Sequence, residues 1–218
     1  MKQFTPLLLA VTVTVAVAIA SPLAAWGQTR LLPVDEAAAV PDFLSFRSQL
    51  RAAVAKRDLK VILAAMSKNV KLSFGGAEGH SDFLTMWKPE SPDSKLWEEL
   101  ANVLDLGGTF DSQGAFTAPY VFSQWPSEKD AFTHMAAIGT GIRVRTAPNA
   151  RAPVIAFLDF SVVEISDDDP ALDWVKVKLS PGRAGYVHVR YLRSPLEHRI
   201  RFEKQEGRWQ VVFFLAGD

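Results

Sequence analysis

Apolar positions in the first third of the chain recur at gaps of three and four. Phe43, Phe46, Leu50 and the Ala53-Val54 pair fall on one helical face, and Asp42 stands where a side chain can cap the free amides. Asp58 is placed in the same way before Leu59, Ile62 and Met66. Val70, Leu72 and Phe74 then alternate with Lys71 and Ser73, the period of a strand with one buried face, and Gly75-Gly76 ends it. A short helix is expected from Ser81 through Phe83, Leu84 and Trp87. Ser91-Pro92-Asp93 marks another helix start, with Leu96, Trp97, Leu100 and Leu104 as its stripe and Gly107-Gly108 as its stop. In the aromatic stretch that follows (Phe110, Phe116, Tyr120, Phe122, Trp125), Pro119 argues against a central strand.

From Ala136 the period changes to two. Ile142 and Val144 alternate with Arg143 and Arg145, and Val154 to Leu158, Ser161 to Ile165, Trp174 to Lys178 and Ala184 to His188 read as short strands. Turn signals separate them at Ala147-Pro148-Asn149, Asp167-Asp168-Asp169-Pro170 and Ser180-Pro181-Gly182. This spacing predicts a small barrel or sandwich. The end of the chain reads as a hairpin: Ile200 and Phe202 alternate with charged residues, Gln205-Glu206-Gly207 turns, and Trp209 to Leu215 is nearly all apolar. A lone hairpin is marginal. Its expected partner is the strand at Val70 to Phe74. The fold class is therefore α+β: a domain from 42–135, completed by the hairpin of 197–218, with a small β-barrel inserted at 136–196. Residues 28–41, with Pro33, Pro41 and three consecutive alanines, read as a flexible lead-in.

Composition narrows the function classes. The chain has 218 residues, 24 basic and 24 acidic side chains and no cysteine. Disulfides, thiolate metal sites and cysteine nucleophiles are excluded, and a balanced charge gives no case for nucleic acid. Residues 1–27 carry Lys2, an apolar run from Pro6 to Ala20 and small residues before Gln28, the three-part pattern of a secretory signal peptide. The run falls short of the ~20 residues a spanning helix needs. A periplasmic or secreted location is expected, with no stable membrane span once the leader is removed.

The stretch Gly139 to Pro195 resembles bacterial SH3-like (SH3b-type) domains. The resemblance is carried by Ile142-Arg143-Val144-Arg145-Thr146-Ala147-Pro148, Ala152-Pro153-Val154-Ile155, Val162-Val163-Glu164-Ile165, Asp173-Trp174-Val175-Lys176-Val177 and Gly185-Tyr186-Val187 followed by Tyr191-Leu192. It departs at Ile142, where the family usually has asparagine, and at Ala147, where glycine is frequent. The resemblance implies a barrel that binds cell wall or protein. The flanking pieces, Asp42 to Phe74 and Arg199 to Asp218, are faintly similar to the cone fold of the nuclear-transport-factor-2-like superfamily, which implies a cavity.

Two roles are open for the aromatic residues of the barrel. Trp174 and Tyr186 can fill a small core, each covering ~150–250 Å². Alternatively Trp174, Tyr186 and Tyr191 edge a groove for an extended chain, with Arg143 and Arg145 on one strand face to meet carboxylates. Neither a helix-borne histidine pair, a nucleophile elbow nor a phosphate loop is present, and the Asp167-Asp168-Asp169 run lacks the ligand spacing of a calcium loop. Glu98-Glu99 reads as the wet side of a helix, and Trp87, Trp97, Phe110, Phe116 and Tyr120 as core or as a pocket wall. The expectation is a non-catalytic exported protein, without cofactor or metal, that recognises peptidoglycan peptide or an envelope protein through Trp174, Tyr186, Tyr191, Arg143 and Arg145. The alternative is an envelope hydrolase or small-ligand binder with a cavity near Trp87, Trp97 and the hairpin.

Overall fold

The computed structural model describes residues 29–166 and 173–217. The expected leader and the Asp167-Asp168-Asp169 turn lie outside them. The chain is α+β, with two sheets. Helix α1 (Pro41–Ala55) begins one residue before the expected cap: Pro41 occupies the first turn, and Asp42, already helical, accepts from the Phe43 amide at 2.9 Å. Proline suits that place because the amide it lacks would have had no partner in the helix. Helix α2 (Leu59–Ala65) is capped by Asp58, which accepts from the Val61 amide at 3.2 Å. Met66, expected in that helix, instead opens strand β1 (Met66–Lys71), so Phe74 falls in a turn and is 62% exposed. Helix α3 (Gly79–Trp87) precedes α4 (Leu96–Asp105), whose stripe Leu96, Trp97, Leu100 and Leu104 is buried.

Strands β2 (Thr109–Phe110) and β3 (Phe116–Ala118) follow, then the short helix α5 (Tyr120–Ser123). Strand β3 stops at the residue before Pro119, and it lies between two neighbours rather than at an edge. The chain next builds β4 (His134–Ala137), β5 (Ile142–Arg145), β6 (Val154–Leu158), β7 (Val162–Ser166), β8 (Trp174–Ser180), β9 (Arg183–His188) and β10 (Leu192–Arg193). The closing hairpin is β11 (Arg199–Gln205) and β12 (Arg208–Leu215). Its turn residues Glu206 and Gly207 both have positive φ, 50° and 77°, the geometry whose twist matches paired strands.

The first sheet runs β1-β12-β11-β3-β2, with β12 parallel to β1 and β11 antiparallel to β3. The chain thus leaves this sheet after β3 and re-enters it at β11. Its core is aromatic: Phe43 lies 4.5 Å from Phe116, 4.8 Å from Trp209 and 5.3 Å from Phe202 between ring centroids. Burying each such phenylalanine is worth about 1.5–3 kcal/mol.

The second sheet runs β10-β4-β7-β8-β9-β5-β6. Its hydrogen bonding does not close among the described residues: β10 and β6 stand at its ends. Ile142, Val144, Leu158, Val163, Val177 and Val187 fill one core beneath it. Strand β9 lies close on β5 because Gly185 has no side chain there; an added Cβ would meet Val144 Cγ1 at 2.6 Å and the Arg145 carbonyl at 2.8 Å.

The expected flexible lead-in is tied down instead. Arg30 bridges to Ser161, the Leu31 amide donates to the Phe160 carbonyl at 2.7 Å, and the Val162 amide to the Thr29 carbonyl at 2.8 Å. A few residues on, Arg47 donates two bonds to Asp35, at 2.8 and 2.6 Å. Glu36 accepts from the Phe110 amide of β2 at 2.7 Å, so the segment is a strap that touches both sheets. Between them Leu31, Tyr120, Val121, Ala136 and Val162 pack as a separate cluster. Burial pushes the Tyr120 hydroxyl up to about 12, so it stays neutral.

Candidate binding recess

Alternation on three neighbouring strands decides which side chains face out. On β5, Ile142 and Val144 point into the core, leaving Arg143 exposed and Arg145 half-buried on the other face. On β8, Val175, Val177 and Leu179 pack inward, so Trp174, Lys176 and Lys178 share the outer face. On β9, Gly185 and Val187 are buried, and Tyr186 and His188 face out. Pairing aligns these sets: Arg145 opposes Tyr186, Tyr186 opposes Lys176, and Trp174 opposes His188. The core role weighed above for Trp174 and Tyr186 is therefore not the one they occupy. Both rings are half-buried on the outer face, because valines alternate with them and take the interior.

Trp174, Tyr191, Arg143 and Arg145 line one recess of about 560 Å³. Ile138, Gly139, Thr140, Gly141, Ile142 and Ala150 contribute to its wall, together with His188 and Arg190. Tyr186 stands beside Arg145 on the same face but does not line the recess. A one-turn helix (Val189–Tyr191) after β9 brings Arg190 and Tyr191 round to it. Its start is fixed by His188, whose Nδ1 accepts from the Arg190 amide at 3.3 Å. That bond places the proton of the neutral ring on Nε2. The Arg190 guanidinium lies 4.6 Å over the Tyr191 ring and donates to its hydroxyl at 2.5 Å. Arg145 Nη1 donates to the Ala152 carbonyl at 2.7 Å. His188 and Arg190 were not singled out from the sequence. The available signal was position: His188 is two residues beyond Tyr186 on the same strand face.

A second recess of about 600 Å³ lies toward the other end of β8, lined by Lys129, His134, Glu164, Lys176, Lys178 and Arg183 among others. It contains none of the expected site residues. Glu164 pairs with Lys178 at 2.5 Å, and the Lys178 bond holds its carboxyl below the usual range.

The aromatic residues expected as core or pocket wall are packed. Trp87 stacks on Phe214 at 5.1 Å with 23° between planes, and Trp97 is buried with its indole donating to the Pro89 carbonyl at 3.1 Å. One edge of Trp97 borders a groove of about 510 Å³ between α1 and α4, whose charged members Arg51 and Asp105 pair with each other. Glu99 departs from the expected wet helix side: it is half-buried and lies 3.5 Å from His198 Nδ1, and the bond to His198 holds its carboxyl below its ordinary value.

Among the described residues there is no cluster of three histidine, cysteine, aspartate or glutamate side chains that could hold a metal. No described helix is long and apolar enough to cross a membrane. Comparison with protein-family models, with curated proteins and with solved structures finds no match.

Proposed function

We propose that the protein is an exported, non-catalytic binding protein of the cell envelope, and that the second sheet is an inserted SH3-like module whose outer face recognises an extended ligand, peptidoglycan peptide or envelope protein. The observation that carries the reading is the gathering of Trp174, Tyr191, Arg143 and Arg145, from strands β8 and β5 and the turn after β9, around one recess of about 560 Å³. Recesses of roughly 300–1,000 Å³ are the size of small-ligand sites. The indole and phenol rings cover chain without demanding many hydrogen bonds, and the guanidiniums supply direction. The apolar amino-terminal run with small residues before Gln28 supports export.

Incubation of the mature protein with purified cell-wall sacculi tests the wall branch. Sedimentation with the sacculi, reduced by Trp174→Ala, is the expected result. Protein that stays in the supernatant at both low and high salt removes wall binding and leaves an envelope protein as the ligand.

A further inference from the structure

The recess gathers guanidiniums with no carboxylate among them. Several guanidiniums elsewhere have carboxylate partners: Arg47 with Asp35, Arg193 with Glu197, and Arg201 with both Asp111 and Glu203. Arg143, Arg145 and Arg190 line one recess, and among the described residues none of them has an ion pair and no carboxylate joins the lining. Arg145 and Arg190 are instead steadied by neutral oxygens, the Ala152 carbonyl and the Tyr191 hydroxyl. Three like charges around one concavity repel one another, and an anion seated among them relieves that repulsion.

We infer that the recess holds its ligand through carboxylates, with Arg143, Arg145 and Arg190 as the anion-recognising end and the Trp174 and Tyr191 rings covering the chain that carries them. The inference rests on the binding reading above and deepens it, adding Arg190 to the site and naming an acidic peptide as the ligand class. Guanidinium forks match a planar carboxylate with two parallel hydrogen bonds. They match phosphate equally well. The two rings distinguish the cases, because they give an extended peptide a surface that a small phosphate would not use; the Gly139 carbonyl and Gly141 amide are already taken, by the Phe160 amide and the Asp159 carboxylate.

The test is calorimetric titration of the mature protein with tri-glutamate and with tri-glutamine amide, which differ only in carboxylates. Tri-glutamate is expected to bind at least about tenfold more tightly, a difference of about 1.4 kcal/mol, and to weaken as salt rises toward about 1 M. The double substitution Arg143→Ala and Arg190→Ala should abolish the difference between the two peptides. Trp174→Ala should weaken both alike. Unchanged circular dichroism spectra establish that the variants are folded.

Equal binding of the two peptides, or no binding of tri-glutamate, overturns the inference. So does displacement of tri-glutamate by an equal concentration of inorganic phosphate. Sacculi, native and with their carboxyls amidated, separate this result from the broader reading. Sacculi that retain the protein equally in both states, with tri-glutamate unbound, sink the carboxylate and keep wall binding. Tri-glutamate binding with no retention on native sacculi keeps the carboxylate and assigns its source to a protein.

Discussion

Trp174 and His188 stand directly opposite each other on β8 and β9, their ring centroids 5.2 Å apart and their planes at 62°. The register that places them there also sends Val177 and Val187 into the core. A slip of one residue would exchange the two sets, so the buried valines fix the outward-facing rings. Outer face and core are written on alternate residues of the same strands.

Separate substitutions should therefore separate binding from stability. Trp174→Ala is expected to weaken ligand binding while changing unfolding free energy by no more than about 1 kcal/mol. Val177→Ala, at a fully buried position, should do the reverse and cost about 2 kcal/mol. Urea melts run beside binding titrations on both variants check the pair. Equal stability losses would mean the indole is a core residue after all.

Gly185→Ala tests the close approach of β9 to β5. The new methyl would press on Val144 and on the Arg145 carbonyl, at 2.6 and 2.8 Å, and the backbone atom cannot rotate away. A loss of about 1–3 kcal/mol is expected. The Arg145–Tyr186 pairing beside the recess should loosen with it, and faster hydrogen exchange of the amides that link β5 and β9 reads that.

The strap before α1 should respond to acid. Burial raises the Asp35 carboxyl, but the hydrogen bonds and charge of Arg47 outweigh it and leave the carboxyl below its ordinary value. A carboxyl lowered in the folded state contributes stability above its unfolded value, near 4, and loses it as the pH falls through the lower, folded one. Asp35→Asn is expected to remove this part of the acid dependence below about pH 4 and to destabilise the protein at neutral pH by about 1–2 kcal/mol, since the Arg47 side chain is 5% exposed and keeps no charged partner. The effect is moderated because 47% of the Asp35 side chain is open to solvent. Thermal melts of both proteins across pH 3–7 measure it.

Much of the second sheet is legible because its strands are short β-rich runs separated by turn residues, and β5 and β9 alternate. The five runs between Ile142 and His188 fall on β5 to β9, and Asp58 caps α2 as its spacing predicts. Strand β4 is not legible, since Met135, Ala136 and Ala137 are all buried and show no alternation. Strands β2 and β3, of two and three residues, are too short to carry a period. The strap is invisible for another reason: besides Leu31 and Ala37, which are buried but too far apart to set a period, its anchors are backbone bonds to Phe160 and Val162 and an ion pair to Arg47. In the recess, Arg143, Arg145 and Trp174 follow from strand faces, whereas Tyr191 lies beyond β9. Arg190 depends on a one-turn helix whose direction only the folded chain reveals.

The hairpin should be indispensable to the first sheet. Phe202 is fully buried and lies 5.3 Å from Phe43, 5.9 Å from Phe46 and 6.3 Å from Phe116. Phe202→Ala is expected to cost about 3–5 kcal/mol. Denaturant unfolding that moves by less than about 1 kcal/mol would place the ring outside the main core.

The central claim is that the outer face of β5, β8 and β9 is a ligand surface. Sedimentation with native sacculi of the wild type, Trp174→Ala and the Arg143→Ala, Arg190→Ala double variant, all shown to be folded, tests it most directly. The wild type should pellet with the wall, and both variants should remain largely in solution. A wild type that never pellets, or variants that pellet as well as it does, would contradict a wall-binding role for this face.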